Sequence, residues 1–335
     1  MIVHIIGGGL SGLATALSIK QHDKTIDVII YEKHKQIGFN TDGRQCGEAH
    51  HIDKEWIKWK PSEKAIATEI HHGEAIVGKN RYCYSAKPGT AWILDRPQFI
   101  SELAEQVKLE NVEIQCNKKI KEISPSDADY IVDASGFPSI IKKQYGLLNK
   151  IKSISYQQTL INSNSYYPHT IKAYFDQRIG YYWIFPRREK IKEVNIGIGI
   201  SNSIHENLKY LLEAFKEKHQ ISGTIDHITG GPIPQGLQYP LKYKNILFVG
   251  DAGVGTFPIS GQGIYRALLS GDVAGFCIAK NNVKRYPYEM KKLFIKWDII
   301  GKNFFRMNHL IKNINPFLVL TLHDLYIKYI KNLKI

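Results

Sequence analysis

Val3-His4-Ile5-Ile6-Gly7-Gly8-Gly9-Leu10-Ser11-Gly12 decides the fold of this chain. A short, β-branched apolar run enters a glycine loop. Leu13 to Lys20 then has helical character, and Asp27 to Tyr31 is a second β-rich run that ends at Glu32. Strand, loop, helix, strand and acid arrive in the order of a βαβ dinucleotide-binding unit. In its GxGxxG spacing Gly7 permits the tight turn, Gly9 lets the backbone approach a pyrophosphate, and Gly12 lets helix and strand pack closely. The phosphates then rest against N–H groups at the positive end of the helix. Glu32, twenty residues after Gly12, stands where a carboxylate accepts hydrogen bonds from a ribose. The motif alone does not separate NAD from FAD.

Two distant segments extend this unit. Tyr130-Ile131-Val132-Asp133-Ala134-Ser135-Gly136 is a strand running into a small-residue turn. Asn245 to Val249 is another strand, ending in Gly250-Asp251-Ala252-Gly253 and followed by Pro258, Gly261, Gln262 and Gly263 ahead of a helical run through Ala267 and Ala274. An aspartate at a strand's C-terminal edge with a glycine-rich helix start beyond it suits a long cofactor that needs both an acceptor and close backbone approach. Between these segments Ile154 to Ile200 is β-rich. Within it Tyr181, Trp183 and Phe185 share one strand face by the two-residue period, and Tyr182 and Ile184 share the other. Arg187, Arg188, Glu189 and Lys190 read as a polar turn, after which Val194 to Ile200 returns as a partner strand.

These residues resemble the FAD-dependent p-hydroxybenzoate hydroxylase superfamily and, within it, the geranylgeranyl reductase family that saturates archaeal isoprenoid lipids. Gly7-x-Gly9-x-x-Gly12 with Glu32 matches the family's ADP-binding unit, and Arg96-Pro97-Gln98-Phe99 its Arg-x-x-Phe helix start. Val132-Asp133-Ala134-Ser135-Gly136 with Ser139 matches its DASG segment, Cys46-Gly47-Glu48 its Cys-Gly-Glu segment, and Gly250-Asp251-Ala252 through Gly263-Ile264 its GDA…P…GxGI block. The most specific match is Tyr181-Tyr182-Trp183-Ile184-Phe185-Pro186 followed after ten residues by Gly197-Ile198-Gly199. The aromatic hydroxylases usually read Gly-Asp-Ala-Ala-His in the GDA block, whereas Gly253 and Val254 follow here.

The resemblance implies an α/β protein with an α+β insert: a Rossmann-like FAD-binding domain (1–50, 90–150 and 238–283), an antiparallel-sheet substrate domain (51–89 and 151–237) and C-terminal helices (284–335). It implies FAD contacts at Gly7, Gly9, Leu10, Ser11, Gly12, Glu32, Lys33, Arg44, Cys46, Gly47, Arg96, Asp133, Ala134, Gly136, Gly250, Asp251, Pro258, Gly261, Gly263 and Ile264. Tyr181, Trp183, Phe185, Pro186, Gly197 and Gly199 would line a lipid channel. The implied reaction is hydride transfer from reduced flavin to C=C bonds of a polyprenyl lipid, which also requires a proton. Cys46, Tyr181 and a site water are the candidate donors. The reductant is a ferredoxin-like protein or NAD(P)H. The competing functions are an FAD monooxygenase acting on an aromatic or prenylated ring, and a flavoprotein that transfers electrons or binds lipid without chemistry of its own.

Composition bounds these expectations. The 335 residues are 43% hydrophobic and 23% charged, which excludes a disordered or collagen-like chain. Four cysteines, Cys46, Cys83, Cys116 and Cys277, form no CxxC pair and fit a reducing cytosol. The adjacent pairs His50-His51 and His71-His72 point apart on a strand or helix, so no metal is expected. The net charge of +14 invites a nucleic-acid partner, but no nucleic-acid-binding motif accompanies it. Eleven lysines and arginines against three acids lie between Lys284 and Ile335, interleaved with aromatic and aliphatic residues. They read either as helices with solvated outer faces or as a peripheral contact with an anionic membrane surface, at the inner face of the cell membrane.

Overall fold

Strand Ile2–Ile6 carries an alternation of buried and partly exposed residues that ends fully buried, and pairs in parallel with Asp27–Tyr31 on one side and Tyr130–Asp133 on the other. The computed structural model describes all residues except 39–47, 52–57, 152, 177–179, 202–205, 315–320, 323–324 and 326–335. Its chain divides into two units, residues 1–43, 96–150 and 233–301, and residues 44–95, 151–232 and 302–335.

The first unit is built on a six-stranded sheet in the order Lys242–Tyr243, Ile246–Phe248, Tyr130–Asp133, Ile2–Ile6, Asp27–Tyr31 and Glu113–Gln115. All neighbours are parallel except the Lys242–Tyr243 edge. Register aligns Ile6 with both Tyr31 and Asp133, and Asp133 with Phe248. The glycine loop, the Asp133–Gly136 turn and Gly250 therefore leave the sheet at one level, at the carboxyl ends of the strands, where open α/β sheets bind ligands.

Helix Leu10–His22 is buried over most of its circumference because helix Ile264–Ala279 lies against it. That approach is closer than ordinary side chains allow. A Cβ on Gly271 would sit 2.3 Å from Ser11 O, and one on Gly275 would sit 2.5 Å from Thr15 O and 2.6 Å from Ser18 Cβ. Ser18 Oγ seals the contact by donating to Asp272 O at 2.7 Å. Helix Tyr286–Ile314 buries Tyr286, Met290 and Phe294, and the Tyr286 hydroxyl donates to Phe248 O at 2.7 Å.

The second unit holds a seven-stranded, mostly antiparallel sheet in the order Thr224–Ile233, Ser153–Ile161, Val194–Ser201, Gly180–Pro186, Thr170–Phe175, His72–Val77 and Asn80–Ser85. The Thr170–Phe175 and His72–Val77 pair is parallel. Helix Leu208–Lys218 covers one face, where Leu211, Leu212 and Phe215 meet Tyr182, Ile184, Ile196 and Ile198. A three-stranded antiparallel sheet, Ala49–His51, Ala91–Leu94 and Ile66–Glu69, completes the unit.

Gly275→Ala tests the helix contact. At an exposed helical site the change would stabilise by about 1 kcal/mol. Here overpacking against backbone oxygen should cost roughly 1–3 kcal/mol, read as a lower urea midpoint at unchanged m.

Candidate functional site: a glycine-capped cradle and an aromatic sheet face

In the first unit Gly7 adopts φ +112°, and a Cβ there would lie 2.3 Å from Ala134 O, so the strand-to-helix turn and the Ala134 backbone exclude any side chain. A Cβ on Gly12 would lie 2.1 Å from Gly7 O. Gly9 is different. It is the N-cap of helix Leu10–His22, has extended φ and ψ that any residue adopts, makes no side-chain cap, and faces nothing within 4 Å. Its missing side chain leaves room beside the first-turn N–H groups of Leu10 and Ser11, which have no intrahelical partners. Gly263 likewise caps helix Ile264–Ala279 without a side-chain hydrogen bond, though a Cβ there would lie 3.2 Å from Thr256 Cγ2. A Cβ on Gly250 would lie 2.5 Å from Ser11 Oγ, so the GDA loop sits directly beside the first helix start. Two uncapped helix N-termini thus open at one end of the sheet, an arrangement that favours an anionic group.

The carboxylates around this cradle have distinct tasks. Glu32 Oε2 accepts from Gly8 N at 2.8 Å, and Oε1 accepts from His34 N at 2.9 Å and lies 2.7 Å from His34 Nδ1. Glu32 therefore braces the glycine loop, with a carboxylate's remaining lone pairs left for a ligand. Lys33 beside it is exposed. Asp133, expected to touch the cofactor, is fully buried. Its Oδ1 accepts from Ser135 N and Oγ, and its Oδ2 from the Ser139 hydroxyl, which also caps helix Ile140–Gln144. Burial raises its pKa against those hydrogen bonds. Asp133 thereby shapes the turn that presents Ala134 and Gly136, with its carboxylate oxygens taken up by Ser135 and Ser139. Gly136 has open space where a Cβ would stand.

Asp251 is the half-buried carboxylate of the GDA loop and makes no side-chain hydrogen bond to the described residues. Burial raises its pKa, while the Arg96 and Arg266 cations oppose the rise. Arg96 begins helix Arg96–Leu109. Arg266 was missed from sequence. It is fully buried, donates to Val254 O at 2.6 Å and Asp298 Oδ1 at 3.1 Å, and places its guanidinium over Phe294 and Phe257. Asp298 Oδ2 accepts from Leu237 N at 2.6 Å. Gly301 abuts Pro258, where a Cβ would lie 2.3 Å from the ring, so helix Tyr286–Ile314 backs the loop that carries Pro258 and Gly261.

In the second unit Tyr181, Trp183 and Phe185 form a row on one face of strand Gly180–Pro186, with ring centroids 5.8 and 6.2 Å apart, and Phe175 extends it 5.4 Å beyond Tyr181. Tyr182 and Ile184 enter the opposite core, where Tyr182 stacks on Phe215 at 4.2 Å. Register sets Tyr181 opposite Gly199 and Trp183 opposite Gly197. The Trp183 indole occupies the space a Gly197 side chain would need, 2.2 Å from its ideal Cβ, and donates from Nε1 to Gln157 Oε1 at 3.1 Å. Phe185 packs with Ile171 against Ile70, Ala91 and Ile93, which closes its end of the row. Burial holds the Tyr181 hydroxyl protonated far above its ordinary range.

Arg187, expected in a polar turn after Pro186, is buried instead. Its guanidinium pairs with Glu48, donates to Leu94 O at 3.2 Å and lies 3.5 Å from Glu193. Glu193 also takes the exposed Arg188 at 2.6 Å, and the Thr68 hydroxyl donates to Arg187 O. Breaking such a pair by removing one partner costs about 3–5 kcal/mol. Arg44, Cys46 and Gly47 lie outside the described residues. No group of His, Cys, Asp and Glu suited to a metal occurs among the described residues.

With both surfaces described, comparison with known proteins is direct. Residues 152–231, which contain the aromatic row and Gly197-Ile198-Gly199, match the geranylgeranyl reductase catalytic domain, and residues 5–66 match an NAD(P)-binding Rossmann-like domain. The chain is similar to the geranylgeranyl reductases over most of its length. Digeranylgeranylglycerophospholipid reductase from Thermoplasma volcanium is 26% identical over 92% of this chain and 85% of its own length, and that from Methanoculleus marisnigri is 27% identical over 85% and 80%. A geranylgeranyl bacteriochlorophyll reductase-like protein from Thermoplasma acidophilum shares the fold at TM-score 0.80 and 22% identity, over 93% of this chain and 89% of that one. CtdE, solved with FAD and a substrate, shares it at TM-score 0.65 and 15% identity, over 91% and 89%. The chain is an oxidoreductase of the geranylgeranyl reductase type.

Two predictions come from the first unit. Gly9→Ala should change stability by no more than about 1 kcal/mol, because its backbone is unstrained and its surroundings open, yet weaken dinucleotide retention through the cradle. Equilibrium dialysis beside a thermal melt separates the two effects. Lys142 is buried against Gln238 O and the Phe248 ring, and burial draws its pKa down to about 8. Between that value and the ordinary 10.5 the unfolded chain holds more protons, so stability relative to Lys142→Met should rise with pH. Urea unfolding of both proteins at about pH 7.5 and about pH 10 checks the sign.

Proposed function

We propose that this chain is an FAD-dependent reductase that saturates C=C bonds of geranylgeranyl or related polyprenyl groups in isoprenoid lipids. The observation that carries the reading is the aromatic row on Tyr181, Trp183 and Phe185, set against glycines and lying within the stretch that matches the reductase catalytic domain. A trisubstituted alkene has no polar atom to grip, so a surface that holds it must work through shape and apolar contact, as a row of ring faces does.

The first unit fits FAD. Gly9, Leu10 and Ser11 would receive the pyrophosphate and the Glu32 carboxylate the ribose. Asp251 would accept from the sugar-alcohol chain, and Gly263 with Ile264 would approach the ring through the second uncapped helix start. Bound and reduced, the flavin supplies a hydride. The chain's own residues must hold the alkene in place, keep water away and deliver a proton to the second carbon. The Tyr181 hydroxyl, kept protonated on the aromatic face, is one source. Cys46 and a site water are the others. Electrons reach the protein from a ferredoxin-like protein or from NAD(P)H.

The test is to incubate dithionite-reduced holoprotein with a detergent-dispersed geranylgeranyl lipid and follow product mass. Gains in steps of two hydrogens are expected, with Trp183→Ala about a hundredfold slower through misplacement of the alkene. No gain across prenyl lipids, or oxygen incorporation in air instead, overturns the proposal. A substrate of this kind resides in a bilayer, and no described helix is long and apolar enough to cross one.

A further inference from the structure

We propose that the outer face of helix Tyr286–Ile314 is a docking surface for an anionic lipid bilayer. This deepens the reading of the substrate as a membrane lipid but rests on its own observations. At 100° per residue Tyr288, Ile295, Ile299 and Leu310 fall on one stripe of the helix. They are 64%, 38%, 52% and 57% exposed, which makes them a line of large apolar side chains with nothing over them among the described residues. Singly scattered exposed apolar residues are ordinary, whereas apolar residues sharing one stripe with interleaved cations form an amphipathic surface.

Charge selects the occupant. Lys292, Lys296, Lys302 and Arg306 stand between those apolar residues, exposed and without a carboxylate partner among the described residues. The two acids of the helix are already engaged elsewhere, Glu289 with Arg285 at 2.7 Å and Asp298 with Arg266 at 3.1 Å. The stripe is thus cationic and apolar over a span of about 33 Å, at 1.5 Å per residue. A bilayer surface of anionic headgroups over acyl chains satisfies both components together: the lysines meet phosphate while Ile295 and Ile299 enter the acyl boundary. A nucleic acid or an acidic protein would satisfy the cations alone and leave the apolar line against polar groups.

The inner face of the same helix says why docking would matter. Asp298 holds Arg266 and Leu237 N, and Gly301 abuts Pro258. Residues 288–301 therefore carry both apolar residues of the proposed lipid-facing stripe and the contacts to the loop that would lie against the cofactor.

Co-sedimentation of the full-length holoprotein with phosphatidylglycerol-containing and pure phosphatidylcholine vesicles tests this. Binding is expected only with phosphatidylglycerol. It should weaken about tenfold in about 0.5 M salt. A similar loss is expected in the Lys292→Gln/Lys296→Gln/Lys302→Gln variant and in the Ile295→Ser/Ile299→Ser variant, both with unchanged melting because every substituted side chain is exposed. No binding to phosphatidylglycerol vesicles, or binding that neither variant weakens, overturns the proposal. Retention on heparin that the lysine variant abolishes while vesicle binding persists would assign the cations to another polyanion and also overturn it. Turnover of detergent-dispersed lipid needs no docking, so it reports separately on the reductase reading. Both variants should retain it while losing turnover of the same lipid embedded in vesicles.

Discussion

The contact between helices Leu10–His22 and Ile264–Ala279 is the constraint from which the cofactor cradle follows. Without Cβ atoms at Gly271 and Gly275 the two helices approach to backbone distance, and their starts, Gly9 and Gly263, are brought to the same end of the sheet. Each start carries N–H groups without intrahelical partners and a partial positive charge. Segments more than two hundred residues apart in sequence thereby open side by side. Widening the helix pair by a methyl group would move Gly250 away from Ser11 without altering either residue.

Buried charge performs a related task in both units. Arg266 links the GDA loop, the Gly236-Leu237 turn and Asp298, and Arg187 links Leu94, Glu48 and Glu193. A guanidinium suits this role because its five donors lie in one fixed plane and reach several acceptors at once. Neither network is expected to contribute much net stability, since desolvation offsets most of the attraction. Each restricts the geometry of irregular backbone beside a working surface, which apolar packing alone does with less directional control.

Much of this was legible in the sequence, for physical reasons that differ by element. The βαβ unit is local: its periodicities and glycine spacing lie within thirty residues, and the structure places strand, helix and strand at Ile2–Ile6, Leu10–His22 and Asp27–Tyr31. The two faces of Gly180–Pro186 were legible because a strand's period of two is a fixed geometric fact. Arg187 was not. Its acid partner Glu48 lies 139 residues away, and an Arg-Arg-Glu-Lys stretch has the local signature of a solvated turn. Lys142 was hidden in the same way inside Lys142-Lys143, of which one side chain is buried and the other exposed. The serine turn anchored by Asp133 was not legible either, because an acid at a strand end has the same local signature whether or not its carboxylate is buried against Ser135 and Ser139.

The pairing of Trp183 with Gly197 has one more consequence. The indole fills the volume that its cross-strand neighbour gives up, so the two positions form a single steric unit shared between two strands. A larger residue at 197 alone would collide, and a smaller one at 183 alone would leave a hollow. Exchanging bulk between them would move the protrusion sideways across the sheet by one strand spacing while conserving total volume. The contour of the aromatic face can therefore drift laterally through compensated pairs of changes, giving related chains differently shaped apolar surfaces on an unaltered backbone.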